Sequence, residues 1–142
     1  MSKHKIPILS IISDESLKKI STWAEKKPGI TNLVKFLSSE FQIDCTRDRE
    51  IIQAFDRDSS NIHGKAEALS RPVNEYECAL ILASCQMASI PVTISAGRTN
   101  LTGSATPRGG LILSIEKMTS PSIKVDIKSQ TLTTPVGIYL EE

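Results

Sequence analysis

A helix-forming segment lies between two β-prone segments, and that order limits what the chain can fold into more than any other feature. Glu67-Ala68-Leu69-Ser70 ends where Pro72 removes a backbone donor. Residues 74–89 follow, with Cys78, Ile81, Leu82, Cys85 and Ala88 apolar at spacings of three and four, and Ile90-Pro91 leads into Val92-Thr93-Ile94-Ser95. Asn74 is placed to cap this helix, with Glu77 three residues on in a capping-box-like relation. A helix between two strands must cover the sheet they form, so the order predicts a right-handed parallel crossover.

The rest of the chain extends this unit in both directions. Leu111-Ile112-Leu113-Ser114-Ile115 reads as a strand buried on both faces. Residues 123–127 alternate strictly and predict a half-exposed strand, which Ser129-Gln130 turns back into residues 131–134 as an antiparallel partner. Upstream, Leu17, Ile20, Trp23 and Ala24 recur at helical spacing over residues 14–27, with a stop at Pro28-Gly29. A second helix, capped by Thr31 or Asn32, runs to about Gln42 with Leu33, Val34, Phe36, Leu37 and Phe41 on its apolar side. Trp23 lies on the apolar stripe and is assigned to packing. Residues 45–60 mix both signs of charge and predict a solvated, partly helical surface, with residues 59–64 a loop.

Composition excludes several classes. Lys and Arg number 17 against 16 Asp and Glu, so no broad positive field draws nucleic acid, and with aromatics at 4% stacking surfaces for bases are absent as well. Cys45, Cys78 and Cys85 form no close-spaced pair of the kind zinc or a redox dithiol needs. Cys78 and Cys85, about 10 Å apart along one helix, are too distant for a disulfide and read as reduced, buried thiols. His4 and His63 carry no neighbouring ligand pattern, so no metal site is expected. Pro7 and Ser10 interrupt the Ile-rich start, which is read as neither signal peptide nor membrane span; a cytoplasmic setting is the expectation.

Chemistry concentrates in Ser95-Ala96-Gly97-Arg98-Thr99-Asn100-Leu101-Thr102-Gly103, where a β-branched run empties into small and hydroxylated residues. Such a turn lets backbone N–H groups approach anionic oxygens that bulky side chains would block. G-x-G-x-x-G is missing and no strong helix pattern follows, which excludes a Rossmann site; a P-loop lacks its lysine. A strand–loop–strand anion cradle remains, alongside an ordinary turn between strands.

Arg71-Pro72, the helix to Ile90-Pro91-Val92, this loop, Gly109-Gly110 and Glu116-Lys117-Met118 together resemble the amino-terminal half of the PCMH-type FAD-binding domain, found in the glycolate oxidase and D-lactate dehydrogenase flavoproteins and in vanillyl-alcohol oxidase. The resemblance covers residues 54–142, leaving 1–53 as an amino-terminal helical segment. It implies an α+β fold: a small, mainly parallel sheet flanked by helices, then the start of an antiparallel subdomain. It also implies that FAD is the cofactor and that Ser95, Ala96, Gly97, Arg98, Thr99, Asn100, Ser104 and Ala105 surround its pyrophosphate. Asp56-Arg57-Asp58-Ser59 looks like the family's Asp-x-Ser tract, to which no site is assigned. Pro135-Val136-Gly137-Ile138 resembles a Pro-Gly-Val turn near the adenine, but in a different order, and stays outside the site.

Ala96 and Arg98 stand where the family often has glycine, so either their backbone angles are ordinary or the site is weakened. Arg98 either pairs with a pyrophosphate oxygen or points outward into solvent. Neither His nor Cys occupies the loop to attach flavin covalently. The resemblance implies an FAD-dependent oxidoreductase, most like those oxidising small 2-hydroxy acids. The chain reads as a fragment ending inside the helix after the Pro-Gly-Val turn, with the substrate bound by a part beyond it and self-association through an unpaired edge strand. The alternatives are a module of the same fold without useful flavin binding, or another enzyme class sharing the fold, such as UDP-N-acetylenolpyruvylglucosamine reductase or the flavin subunit of molybdenum hydroxylases.

Overall fold

The computed structural model describes residues 10–138; the expected final helix at Tyr139 and beyond lies outside them, as does most of the Ile-rich start. Helix α1 spans Asp14–Ala24 and is capped by the Ser13 hydroxyl, which accepts from the Ser16 N–H. Helix α2 spans Ile30–Phe41. Its cap is Gly29 rather than Thr31 or Asn32: the break at Pro28-Gly29 lets helix begin at once, and the Gly29 carbonyl accepts from the N–H groups of Asn32 and Leu33. Trp23 and Phe36 stack with ring centres 4.5 Å apart, which gives Trp23 the packing role read from its position.

Strands β1 (Cys45–Thr46), β2 (Ala68–Ser70), β3 (Val92–Ser95) and β4 (Leu111–Ser114) form one sheet in the order β1-β2-β4-β3. The strands β2, β4 and β3 are parallel, and β1 adds an antiparallel edge. Residues 45–60 are thus no simple solvated surface. They supply β1, the short helix α3 (Arg49–Ile52), and buried Phe55, Asp56 and Asp58. The reason is pairing: the two carboxylates accept backbone and side-chain donors that would otherwise be buried unpaired.

Helix α4 spans Glu75–Ala88 and connects β2 to β3. Asn74 Oδ1 accepts from the Glu77 N–H at 2.9 Å, while Glu77 Oε2 accepts from Val73 N–H, one residue before the cap. Buried residues occupy several sides of α4, because α1 and α2 pack on it as well as the sheet. Burying one side chain such as Ile81 contributes about 1.5–3 kcal/mol.

Alternation along the parallel strands builds two cores. Ala68, Leu111 and Leu113 pack in the cluster with Leu80 and Ile81, whereas Leu69 and Ile112 pack with Ile52, Phe55 and Ala66. Both sheet faces are covered, as the continuous apolar pattern of β4 requires. Gly110 makes the return into β4 feasible: at φ +69° it sits so close to Pro91 that an added Cβ would lie 2.2 Å from the Pro91 oxygen.

Strands β5 (Lys124–Asp126) and β6 (Thr131–Thr133) form the antiparallel pair. They are wholly exposed rather than half-exposed: every residue of both strands lies open to solvent, so neither face is taken up into a core. The fold is the α+β arrangement the sequence implied, a mainly parallel sheet flanked by helices and followed by an antiparallel pair.

Candidate functional site: the loop at the carboxyl ends of the parallel strands

All three parallel strands end in a fully buried serine: Ser70, Ser95 and Ser114. Ligands of open α/β sheets bind outside such carboxyl ends. The candidate loop leaves β3 there. Ala96, Gly97 and Arg98 form one side of a cleft of about 360 Å³, Ile115 and Glu116 another, and residues 136–138 the third.

Among the described residues, the backbone N–H groups of Ala96, Gly97, Arg98, Thr99 and Asn100 donate to no protein acceptor. Five consecutive free donors at a strand end are the equipment for an anion. Ser95 Oγ, at the head of the run, is buried and also lacks a partner. Gly137 lies so near the cleft floor that a Cβ would come within 2.6 Å of the Ile115 oxygen and 2.8 Å of the Met118 oxygen. Only a residue without a Cβ lets the 136–138 turn pack this closely on residues 115–118.

Of the two residues in glycine-preferring positions, Ala96 has ordinary angles and Arg98 has φ +56°. Arg98 points neither freely outward nor across the cleft: its guanidinium carbon lies 4.5 Å from the centre of the Phe55 ring. Its carbonyl accepts two hydrogen bonds from Ser59, one from the N–H and one from the hydroxyl, each 3.1 Å. Left-handed backbone at a non-glycine residue costs about 1–2 kcal/mol, and these contacts hold it.

The second half of the loop is tied down by side-chain bonds, although Leu101, Thr102 and Ser104 stay exposed. Asn100 Nδ2 donates to Asp58 Oδ2 and to Ser104 Oγ, Thr102 Oγ1 donates to the same Ser104 Oγ, and the Ala105 N–H donates to Asp58 Oδ2 at 3.3 Å. Ala96 to Arg98 therefore line the cleft, Ser95 is buried just before them, Thr99 is exposed, Asn100 and Ala105 donate to Asp58, and Ser104 accepts from Asn100. The Ser60 hydroxyl, together with further donors, holds the Asp58 carboxyl down to about 2 against the opposing effect of desolvation.

Several site residues escaped the sequence reading. Glu116 carries a negative charge into the cleft and lies 3.8 Å from Arg71, which also pairs with Asp44 at 2.9 Å. Residues 136–138 reach the same cleft; their Pro-Val-Gly-Ile turn was the available signal. Asp58 could have been found from the serine two residues later, whose N–H closes an Asx-type turn on it.

Free amides and small residues at the carboxyl ends of a parallel sheet define a binding domain for an anionic cofactor. The profile of a family described as FAD binding domain matches residues 66–142, more than half of the chain, and the chain belongs to that family; its cofactor is accordingly FAD. Among solved structures, the chain is similar to the xylooligosaccharide oxidase from Myceliophthora thermophila C1 in complex with xylobiose, with TM-score 0.57 and 14% sequence identity over 76% of this chain. It spans 23% of that oxidase's length. Comparison with curated protein sequences found no match. Family and fold agree with the PCMH-type resemblance. The cleft also suits the cofactor, since free donors, an orphaned buried hydroxyl and a glycine-lined wall are what a pyrophosphate requires. Among the described residues no group of His, Cys, Asp or Glu is arranged to hold a metal, and no helix is long and apolar enough to cross a membrane.

Proposed function

We propose that residues 54–142 form the pyrophosphate-binding part of an FAD-dependent oxidoreductase, preceded by residues 1–53, a mainly helical segment that also lends β1 to the sheet. The observation that carries the proposal is the run of five unpaired backbone N–H groups from Ala96 to Asn100 opening from a buried parallel strand. Ser95, Ala96, Gly97, Arg98, Thr99 and Asn100 line the pyrophosphate. Ser104 and Ala105 close the loop behind it, where the Ala105 N–H is already engaged by Asp58. When bound, FAD supplies the acceptor for a hydride or electron pair, while protein groups supply binding and orientation. Here the amides offset the phosphate charge and the buried Ser95 hydroxyl gains a partner. Arg98, seated on Phe55, leaves its positive charge beside the cleft.

The substrates we propose are small 2-hydroxy acids of the glycolate or D-lactate kind. The support is the loop's likeness to flavoproteins acting on them, and the substrate is bound outside these residues. Three unpaired thiols support a reducing, cytoplasmic setting. A second reading, a module of this fold without useful flavin binding, draws on one observation: Arg98 carries a side chain at φ +56°, where the related loops often have glycine. Reconstitution of the intact protein with FAD separates the two. Stoichiometric flavin that bleaches anaerobically with glycolate or D-lactate is the expected result. Bleaching by a sugar instead would overturn the substrate class, and failure to take up flavin would favour the second reading.

A further inference from the structure

Every donor around Asp58 points at it, and two of them cannot turn away. Oδ1 accepts from the Ser60 N–H at 2.9 Å and from the Ser60 hydroxyl; Oδ2 accepts from Asn100 Nδ2 and from the Ala105 N–H. The Asn100 amide can flip and the Ser60 hydroxyl can rotate, but the N–H groups of Ser60 and Ala105 are backbone and fixed in sign. Each carboxylate oxygen faces one of them. Only a group with two accepting oxygens satisfies both sides, and an ionised carboxylate is that group.

These bonds span 42 and 47 residues of sequence to reach the loop, and the neighbouring Ser59 bonds to the Arg98 carbonyl span 39. The tract of residues 58–60 thus grips the loop at residues 98, 100 and 105. Between and just before those grips run the amides left free for a ligand. We propose that Asp58 is the positioning residue of the cofactor loop: Oδ2 holds the Asn100 side chain and the Ala105 N–H, Oδ1 fixes the turn at Ser60 whose neighbour Ser59 holds the Arg98 carbonyl, and together these grips aim the amides of residues 96–100 into the cleft. The inference rests on the reading of those amides as the FAD pyrophosphate site and adds the group that shapes it. Asp58 makes no contact with the cofactor in this role; the free amides and Ser95 do.

Asp56 provides an internal control. It is equally buried, but it pairs with Arg49 and accepts from the Ala66 N–H, so it organises the entry to β2 rather than the loop. In the intact protein, Asp58→Asn should weaken FAD binding at least tenfold, read by quenching of flavin fluorescence, and should remove hydrogen-exchange protection of the Ala105 amide. Asp56→Asn should lower the melting temperature but leave FAD affinity within twofold, which separates positioning from general destabilisation. Should Asp58→Asn fail to fold, Asn100→Ala removes one grip and keeps every backbone amide; about threefold weaker binding is then expected. FAD binding by Asp58→Asn, or in that case by Asn100→Ala, within experimental error of the unsubstituted protein would overturn the role of Asp58. Failure of the unsubstituted protein to bind FAD would instead overturn the cofactor-site reading on which the role depends.

Discussion

The guanidinium of Arg98 rests on the ring of Phe55, 4.5 Å from its centre, and so ties the loop after β3 to the smaller of the two cores. Phe55 packs in one cluster with Ile112 of β4, and the strand that ends at the cleft therefore also braces the loop across it. Arg98→Gly should leave stability nearly unchanged. Relief of the left-handed backbone, about 1–2 kcal/mol, offsets a lost cation–π contact of about 0.5–1 kcal/mol and the added freedom of the unfolded glycine chain. Arg98→Val should instead destabilise by about 1–3 kcal/mol, because a β-branched side chain suits φ +56° worst. Thermal melts check both; equal losses in the two variants would show that the backbone angle is not the controlling feature.

Replacing Gly97 by Val should strip the protein of flavin, seen as lost absorbance in the visible flavin bands, with the far-ultraviolet dichroism largely preserved. Gly97 lies in the middle of the cleft-facing stretch, on an exposed loop outside both cores. Flavin retained at full stoichiometry would count against the site.

Acid should loosen this end of the molecule before the helices. Asp58 is held at about 2, below the ordinary aspartate value of about 3.9. A depressed carboxyl stabilises the folded state above the unfolded value, and that contribution disappears as pH falls from about 4 toward 2. Denaturant midpoints measured between pH 6 and pH 2.5 should drop, and the drop should be smaller in Asp58→Asn. Identical pH slopes would contradict the assignment.

Alkali acts through the thiols. Burial raises Cys45 to about 11 and Cys85 to about 12, so both remain protonated and inert near neutral pH. Their neutral forms favour the folded state up to the unfolded value of about 8.5, and this contribution declines as pH rises toward 11 and 12. A thiol reagent at pH 8 should label the less buried Cys78 first, then Cys45 and Cys85 only on unfolding. Rapid native labelling of Cys85 would refute the burial argument.

The 142-residue chain alone should bind FAD weakly and self-associate. It presents an open cleft, and Val125 of β5, Ile127 of the following turn and Leu132 of β6 are 71%, 85% and 59% exposed. Exposed apolar side chains beside a free strand edge invite pairing between molecules. Light scattering should show oligomers that Val125→Lys and Leu132→Lys reduce. A stable monomer binding FAD stoichiometrically would overturn both expectations.

The elements legible in the sequence were those set by neighbours along the chain. The period of α4, the Asn74 cap and the buried pattern of β4 depend on residues a few places apart, and all appear close to where the pattern put them. The position of β4 between β2 and β3 is set by partners some twenty to forty residues away, which no local period encodes. Asp58 shows the same divide. Read alone, Asp56-Arg57-Asp58-Ser59 is a charged surface tract; the donors that bury it arrive from 42 and 47 residues downstream. Fifteen residues of loop lie between β3 and β4, and their composition marked the small-residue stretch after β3 but not which segments would face Asp58.

The placement of β4 governs the order in which the protein can be assembled during synthesis. The first two parallel strands are not paired with each other: β3 pairs with β4, and β2 otherwise pairs with the two-residue β1. A nascent chain that has emerged through α4 and β3 consequently holds an unpaired strand and an uncovered helix face until Leu111–Ser114 clears the ribosome. The central strand arrives last among the four and closes the sheet in one step. Ribosome pauses placed before residue 111 would leave a helical, chaperone-dependent intermediate, and pauses after residue 114 has emerged would not.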